Sequence, residues 1–147
     1  TAARGTKNLC NYGTNAAAEG RALTADSDEA VGDYVYAPDV ADGIRRLLLA
    51  PKAKLRHDVY NLAQGETATV RDLVDLAVKV VPGFRLEIVP AAQAEMQTVP
   101  DRKTGKWAAY DISRAAHDLD WHPRPLGATM ADYIGWLRRN RPTEGRR

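Results

Sequence analysis

The side chains best suited to chemistry in this sequence are few, and most are charges rather than nucleophiles. Arg102, Lys103 and Lys106 place cations close together in one polar stretch. That grouping fits an anionic group on a small molecule, for which Arg in particular is the natural ligand, and reads equally as a solvated basic loop. Tyr36 and Asp39 flank Pro38. Asp39 is expected to lie in the first turn of a helix, where a carboxylate meets the positive helix end, and it is also a candidate substrate contact with Tyr36. His57, His117 and His122 show no pair at the i, i+4 helical spacing that holds zinc, so they read as surface or packing residues and no metal site is expected. Cys10 is the single cysteine; it cannot form an internal disulfide and reads as a small packing residue. No G-x-G-x-x-G turn occurs, and no Tyr is followed four residues later by Lys. No catalytic residue and no cofactor-binding residue are therefore expected in this chain.

The remaining composition narrows the class. At 147 residues the chain has the size of one ordinary domain, and 44% hydrophobic with 27% charged residues is the balance of a soluble globular protein. A net charge of +2 is too small to indicate nucleic acid. The basic excess gathers at the end, in Arg138, Arg139, Arg141, Arg146 and Arg147, and suits a solvated terminus. No apolar run approaches the roughly 20 residues of a membrane helix. No signal-peptide pattern opens the chain, and a cytoplasmic location is expected. An opening Thr1 in place of Met hints at a fragment.

The elements that must carry these residues follow from periodicity and punctuation. A helix is expected over 4–19 with Gly20 as its stop, then a polar loop over 21–32. Asp33-Tyr34-Val35-Tyr36 reads as a short strand. Pro38 opens a helix with Val40, Ile44, Leu47 and Leu48 on one face. Val59-Tyr60-Asn61-Leu62-Ala63 reads as a strand closed by Gly65. Thr69 and Asp72 have the capping-box spacing before a helix carrying Val70, Leu73, Val74 and Ala77. Pro82-Gly83 breaks that helix. Phe84, Leu86 and Ile88 alternate with charges as in a strand. Asp111 caps a short helix, and a last helix spans roughly 126–139 with Met130, Tyr133, Ile134 and Leu137 on one face. The sum is an α/β, α+β-like small domain of several helices with three or four short strands.

Three segments, in order, resemble the C-terminal half of extended short-chain dehydrogenases/reductases, the NAD-dependent epimerase/dehydratase family. Asp33-Tyr34-Val35-Tyr36-Ala37-Pro38-Asp39-Val40-Ala41 is similar to the family's R-D-[FY]-[VI]-[YH]-V-x-D-[VL]-A. Val59-Tyr60-Asn61-Leu62-Ala63-Gln64-Gly65, followed by Thr69 to Leu73, resembles its V-[YF]-N-[IL]-G-[ST]-G and capped helix. Asp111-Ile112-Ser113-Arg114-Ala115 and Leu119-Asp120-Trp121-His122-Pro123 are similar to D-x-S-[KR]-A-x-x-x-L-G-W-x-P. Asn61, Gly65 and Thr69 also read as architecture, and Trp121 as a core anchor.

The resemblance implies a substrate-binding part whose NAD(P)-binding Rossmann domain and catalytic Tyr/Lys lie outside this chain. The complete enzyme would use NAD or NADP on a sugar-nucleotide or related hydroxylated substrate by hydride transfer; no cofactor would bind this chain alone. Two departures from the family pattern bear on substrate. Gly32 stands where an Arg that touches substrate phosphates is usual, and Lys106 where an acid usually contacts the ribose. A steroid- or hydroxyketone-like substrate is then an alternative, and so is a stand-alone non-catalytic binding or regulatory module of the same fold. The expected partners are a small-molecule substrate and the missing Rossmann domain, with neither nucleic acid nor membrane. Apolar faces that the Rossmann domain would cover lead to an expected homo-oligomer.

Overall fold

The computed structural model describes residues 9–97 and 108–140, so the candidate contacts Arg102, Lys103 and Lys106 lie outside the described residues. The chain runs α1 (Leu9–Glu19), β1 (Leu23–Ala25), β2 (Val31–Gly32), α2 (Ala37–Leu49), β3 (Ala68–Thr69), α3 (Val70–Val80), β4 (Leu86–Ile88), α4 (Ser113–Leu119) and α5 (Leu126–Arg139), with single 3₁₀ turns at Lys52–Lys54 and Ala91–Gln93. It is a mixed α/β fold of helices and a few short strands, as the sequence predicts.

The best-patterned elements form for the reasons the sequence offers. Thr69 Oγ1 accepts from Asp72 N at 3.1 Å while Asp72 Oδ2 accepts from Thr69 N at 2.8 Å, which closes the capping box on α3. Behind it Val70, Leu73, Val74 and Ala77 are all buried. Each of the Val and Leu side chains contributes about 1.5–3 kcal/mol by leaving water. Gly20 ends α1 at φ +69°, and Gly83, just past α3, takes φ +94°. α1, α3 and α5 pack on one another over a core that includes Ala16, Leu23, Phe84, Met96 and Ile134. β1 and β4 pair in parallel, Leu23 beside Leu86 and Ala25 beside Ile88, and β2 pairs antiparallel with β3.

A second, smaller core sits under α2 and α4. Trp121, 1% exposed, lies there with Ala115 and Leu119, flanked by Val35, Leu47, Leu62 and Ile112. The indole Nε1 donates to the Asp39 carbonyl oxygen at 2.9 Å, so the buried ring leaves no polar atom unpaired. Gly43 lets α2 approach this core closely. A Cβ there would fall 2.7 Å from Leu62 Cδ2 and 3.1 Å from Trp121 Nε1.

Four expectations are corrected. The strand expected over Asp33–Tyr36 is absent; the ladder runs at Val31–Gly32, because Ala68–Thr69 is the segment it pairs with. The expected loop over 21–32 holds both β1 and β2, too short to show a period. Val59–Ala63 is no strand, since no described segment pairs with it. On α2 the inward positions are Asp39 and Gly43 with half-buried Leu47; Ile44 and Leu48 face out at 48% and 80% exposure. Their outward face continues through Leu49.

Candidate functional site

The segment from Asp33 to Ala37 links the two cores and forms one wall of a cavity of about 370 Å³. Thr14 of α1, Leu73 of α3, and Leu126, Thr129, Met130 and Tyr133 of α5 complete it. Asp33 fixes this wall. Its Oδ1 accepts from Gln64 N at 2.7 Å, and its Oδ2 from Gly65 N and Tyr110 N, both at 3.1 Å. One carboxylate thus ties the wall to the exit of the 59–65 segment and to the start of the segment that leads into α4. Gly65 has φ +77°, which favours glycine, and a Cβ there would meet the end of the Ile112 side chain at 2.8 Å.

Tyr36 precedes α2 in extended conformation, and Pro38 follows in the first turn. Its ring lies 6.0 Å from that of Tyr133, which in turn stacks on Trp136 at 6.2 Å and 19°. The Arg124 guanidinium sits 5.2 Å from the Tyr36 ring centroid. Burial pushes the Tyr36 hydroxyl up from its ordinary pKa, reinforced by the negative charge of the neighbouring Asp132 carboxylate. Tyr36 is thus a wall residue of the cavity.

Asp39 is placed differently. It is buried, and its two oxygens accept from Arg124 Nε at 2.7 Å and Arg124 N at 3.1 Å. Hydrogen bonding to Asp39 in turn raises the Arg124 guanidinium pKa. The structure therefore brings Tyr36 to the cavity and turns Asp39 to a contact between α2 and the segment before α5. The sequence reading missed Asp33, Thr14, Thr129 and Tyr133 as cavity residues. Tyr133 was legible only as one position of an apolar helix face; the bonds to Asp33 span 31, 32 and 77 positions, beyond any local pattern.

A wider concavity of about 610 Å³ lies between the end of α2, the 51–56 turn and the end of α4. Its arginines are already engaged. Arg45 and Arg46 pair with Asp42 at 2.8 and 2.7 Å, and Arg46 also donates to the Leu119 and Asp120 carbonyls that end α4. Arg56 donates to Asp118 from Nη2 at 2.6 Å and from Nε at 3.0 Å, and the Tyr60 hydroxyl adds a bond at 2.8 Å. Arg56, more than Tyr60 or His117, holds the Asp118 carboxyl far below the usual carboxylate range. His117 contacts both Arg56 and Asp118, and all three histidines are exposed.

A Cβ built on Gly32 would fall 2.7 Å from Tyr34 Cζ and 2.9 Å from its hydroxyl. The Tyr34 ring lies against Gly32, and a larger side chain at position 32 would require that ring to shift.

A mixed α/β fold carrying all three dehydrogenase-like motifs in order defines the class: part of an extended short-chain dehydrogenase/reductase fold. Solved structures bear this out. A partial-consensus L-threonine 3-dehydrogenase superposes with a TM-score of 0.70 at 25% identity, over 90% of this chain and 42% of that one. The holo form of a GalE-like L-threonine dehydrogenase from Cupriavidus necator gives 0.66 at 26%, over 84% and 39%. At the level of fold alone, UDP-glucuronic acid 4-epimerase from Bacillus cereus, in complex with UDP-glucuronic acid and NAD, gives 0.61 at 23%, over 88% and 40%. The chain spans about two fifths of the length of these structures. No family profile and no curated protein matches it. Among the described residues no helix is long and apolar enough to cross a membrane.

Proposed function

We propose that this chain is the C-terminal substrate-binding part of an NAD(P)-dependent dehydrogenase, epimerase or dehydratase. In this reading the Rossmann domain and the catalytic Tyr/Lys lie on a segment outside the chain. The observation that carries it is the shared fold with L-threonine dehydrogenases over nine tenths of the chain but two fifths of theirs. The outward apolar face of α2 supports it. Ile44, Leu48 and Leu49 line a helix that needs cover, and exposed Val59 lies in an extended segment with no pairing partner among the described residues.

The complete enzyme binds NAD or NADP and moves a hydride to or from a hydroxylated carbon of a small substrate. This chain's part is to enclose that substrate with the Tyr36 wall, and Arg102, Lys103 and Lys106 supply charge to any anionic group on it. A sugar-nucleotide is one substrate class. Gly32 favours the other, a hydroxyketone-like substrate without a diphosphate, because it supplies no guanidinium where the resemblance implies a phosphate-contacting Arg. A cytoplasmic, homo-oligomeric enzyme is in keeping with both.

The test is the upstream coding sequence and the protein it encodes. A glycine-rich βαβ turn followed by Tyr-x-x-x-Lys, and NAD(P)-dependent turnover of a hydroxylated substrate by the joined protein, are the expected results. Tight NAD binding by this chain alone would overturn the division of labour. In the joined protein, Arg102→Gln with Lys103→Gln is expected to raise KM for an anionic substrate and leave NAD affinity unchanged.

A further inference from the structure

We propose that the concavity between the end of α2, the 51–56 turn and the end of α4 is a binding site for a small organic anion, whose charged oxygens are held by the cations of the wall while its apolar body rests on Leu49, Pro51 and Ala53. It shares no lining residue with the Tyr36 cavity, and of the outward α2 residues it takes only Leu49. Such a site stands whether or not the chain is part of an enzyme.

The arginines of this wall are oriented but not exhausted. A guanidinium carries five N–H donors. Arg45 gives Nε and Nη2 to Asp42, and Arg56 gives Nε and Nη2 to Asp118. Arg46 gives Nε to Asp42 and Nη1 to the Leu119 and Asp120 carbonyls. Among the described residues one terminal amino group on each keeps its donors: Nη1 of Arg45, Nη2 of Arg46 and Nη1 of Arg56. The Lys54 ammonium, on the same wall, has no partner among the described residues. The bonds already made restrict these side chains, so an oxyanion meets donors that have less freedom left to lose. Charge favours an anion as well. Arg45, Arg46, Lys54 and Arg56 face two lining acids, Asp118 and Asp120. The Asp118 side chain is 1% exposed and is taken up by Arg56 and Tyr60. Asp42, outside the wall, is a third acid, and one cation remains in excess. Arg46 also covers the carbonyl end of α4, which would otherwise repel an anion. A volume of about 610 Å³ is that of a small-molecule site.

The chain supplies its own reporter, because His117 lines the concavity and His122 does not. The full chain, labelled in its histidine rings, would be titrated at constant pH with phenylphosphonate, with its uncharged dimethyl ester and with inorganic phosphate. Phenylphosphonate is expected to shift the His117 resonances saturably and leave His122 in place. The ester lacks the charge and inorganic phosphate lacks the apolar body, so each is expected to bind at least about tenfold more weakly. Lys54→Gln, at an exposed position, is expected to weaken phenylphosphonate about threefold, with the His122 resonances unchanged. Ala53→Glu, which sets an acid on the exposed wall, is expected to weaken it at least about tenfold. Equal affinity for phenylphosphonate and its ester, equal affinity for phenylphosphonate and inorganic phosphate, unchanged binding in both variants, or no saturable shift of His117 would each overturn the proposal.

Discussion

Arg124 and Asp39 lie 85 positions apart and meet through two bonds, from the Arg124 side-chain Nε at 2.7 Å and from its backbone N at 3.1 Å. Asp39 belongs to the first turn of α2, and Arg124 directly precedes Pro125 and α5. The pair therefore joins the α2–α4 core to the three-helix core. The same Arg124 side chain lies over the Tyr36 ring, so the joint also sets the cavity wall. Asp39, which the sequence offered both as a helix-start carboxylate and as a substrate contact, bonds Arg124 here and so holds the two halves together.

Arg124→Ala should cost stability and loosen the wall at once. Asp39 would keep its bond from the backbone N and lose the one from Nε. Hydrogen bonds to charged groups contribute about 1.5–3 kcal/mol when buried, and the half-exposed guanidinium brings the expected loss to about 1 kcal/mol. Arg124→Lys should recover part of it, through charge without the same geometry. Urea unfolding of the three proteins measures this, and equal midpoints would remove the joint from the account.

Trp121→Ala should be the most damaging single truncation in the smaller core. The side chain is 1% exposed and packs with Ala115 and Leu119. Removing a buried Trp costs about 3–5 kcal/mol, a large part of the 5–15 kcal/mol typical of a domain. Trp121→Phe keeps much of the volume and leaves the Asp39 carbonyl without its indole donor, for an expected cost of about 1–2 kcal/mol. Thermal unfolding should rank wild type above Phe above Ala.

Acid should weaken the fold through Asp118. Its side chain is 1% exposed and its pKa lies far below the unfolded value of about 3.9, chiefly because Arg56 bonds it. A carboxyl with a depressed folded pKa makes the unfolded state the stronger proton binder, so stability rises with pH. The contribution is fully present well above pH 4 and is lost as pH falls through 4 toward the folded value. Asp118→Asn should be less stable at pH 7 and show a flatter decline between pH 5 and 3. Parallel pH profiles for wild type and variant would rule the pair out as the acid-sensitive element.

How much of this was legible depends on how local each cause is. α3 was readable to the residue because the Thr69–Asp72 box and the Val70, Leu73, Val74 and Ala77 spacing sit within one short segment. α5 and the stops at Gly20 and Gly83 were readable for the same reason. Strands were not, because pairing is long-range: Val31–Gly32 has Ala68–Thr69 and so forms, while Val59–Ala63 has strand residues and no partner. α2 misled because its apolar period points outward, and its inward positions are a carboxylate and a glycine chosen for Arg124 and Trp121. Tyr36 stood in a motif, and its ring lines the cavity. Asp33 stood in the same motif, but nothing local showed what its carboxylate binds.

The outward face of α2 should govern association of the isolated chain. Leu48 and Leu49 are 80% and 71% exposed at the end of the helix, and Ile44 extends the face one turn back. An uncovered patch of this kind drives self-association by the same burial that a neighbouring domain would otherwise gain. Leu48→Lys removes its centre without disturbing either core, and a cation near a helix C-terminus is favourable to the helix. Wild type is expected to associate at micromolar to millimolar concentration, with the variant at least tenfold weaker, as read by light scattering across a dilution series. The joined protein should hide the patch, so the same substitution there should weaken contact between the two parts. A wild-type chain that stays monomeric across the series would mean that α2 needs no cover, and would remove its outward face as support for a missing domain.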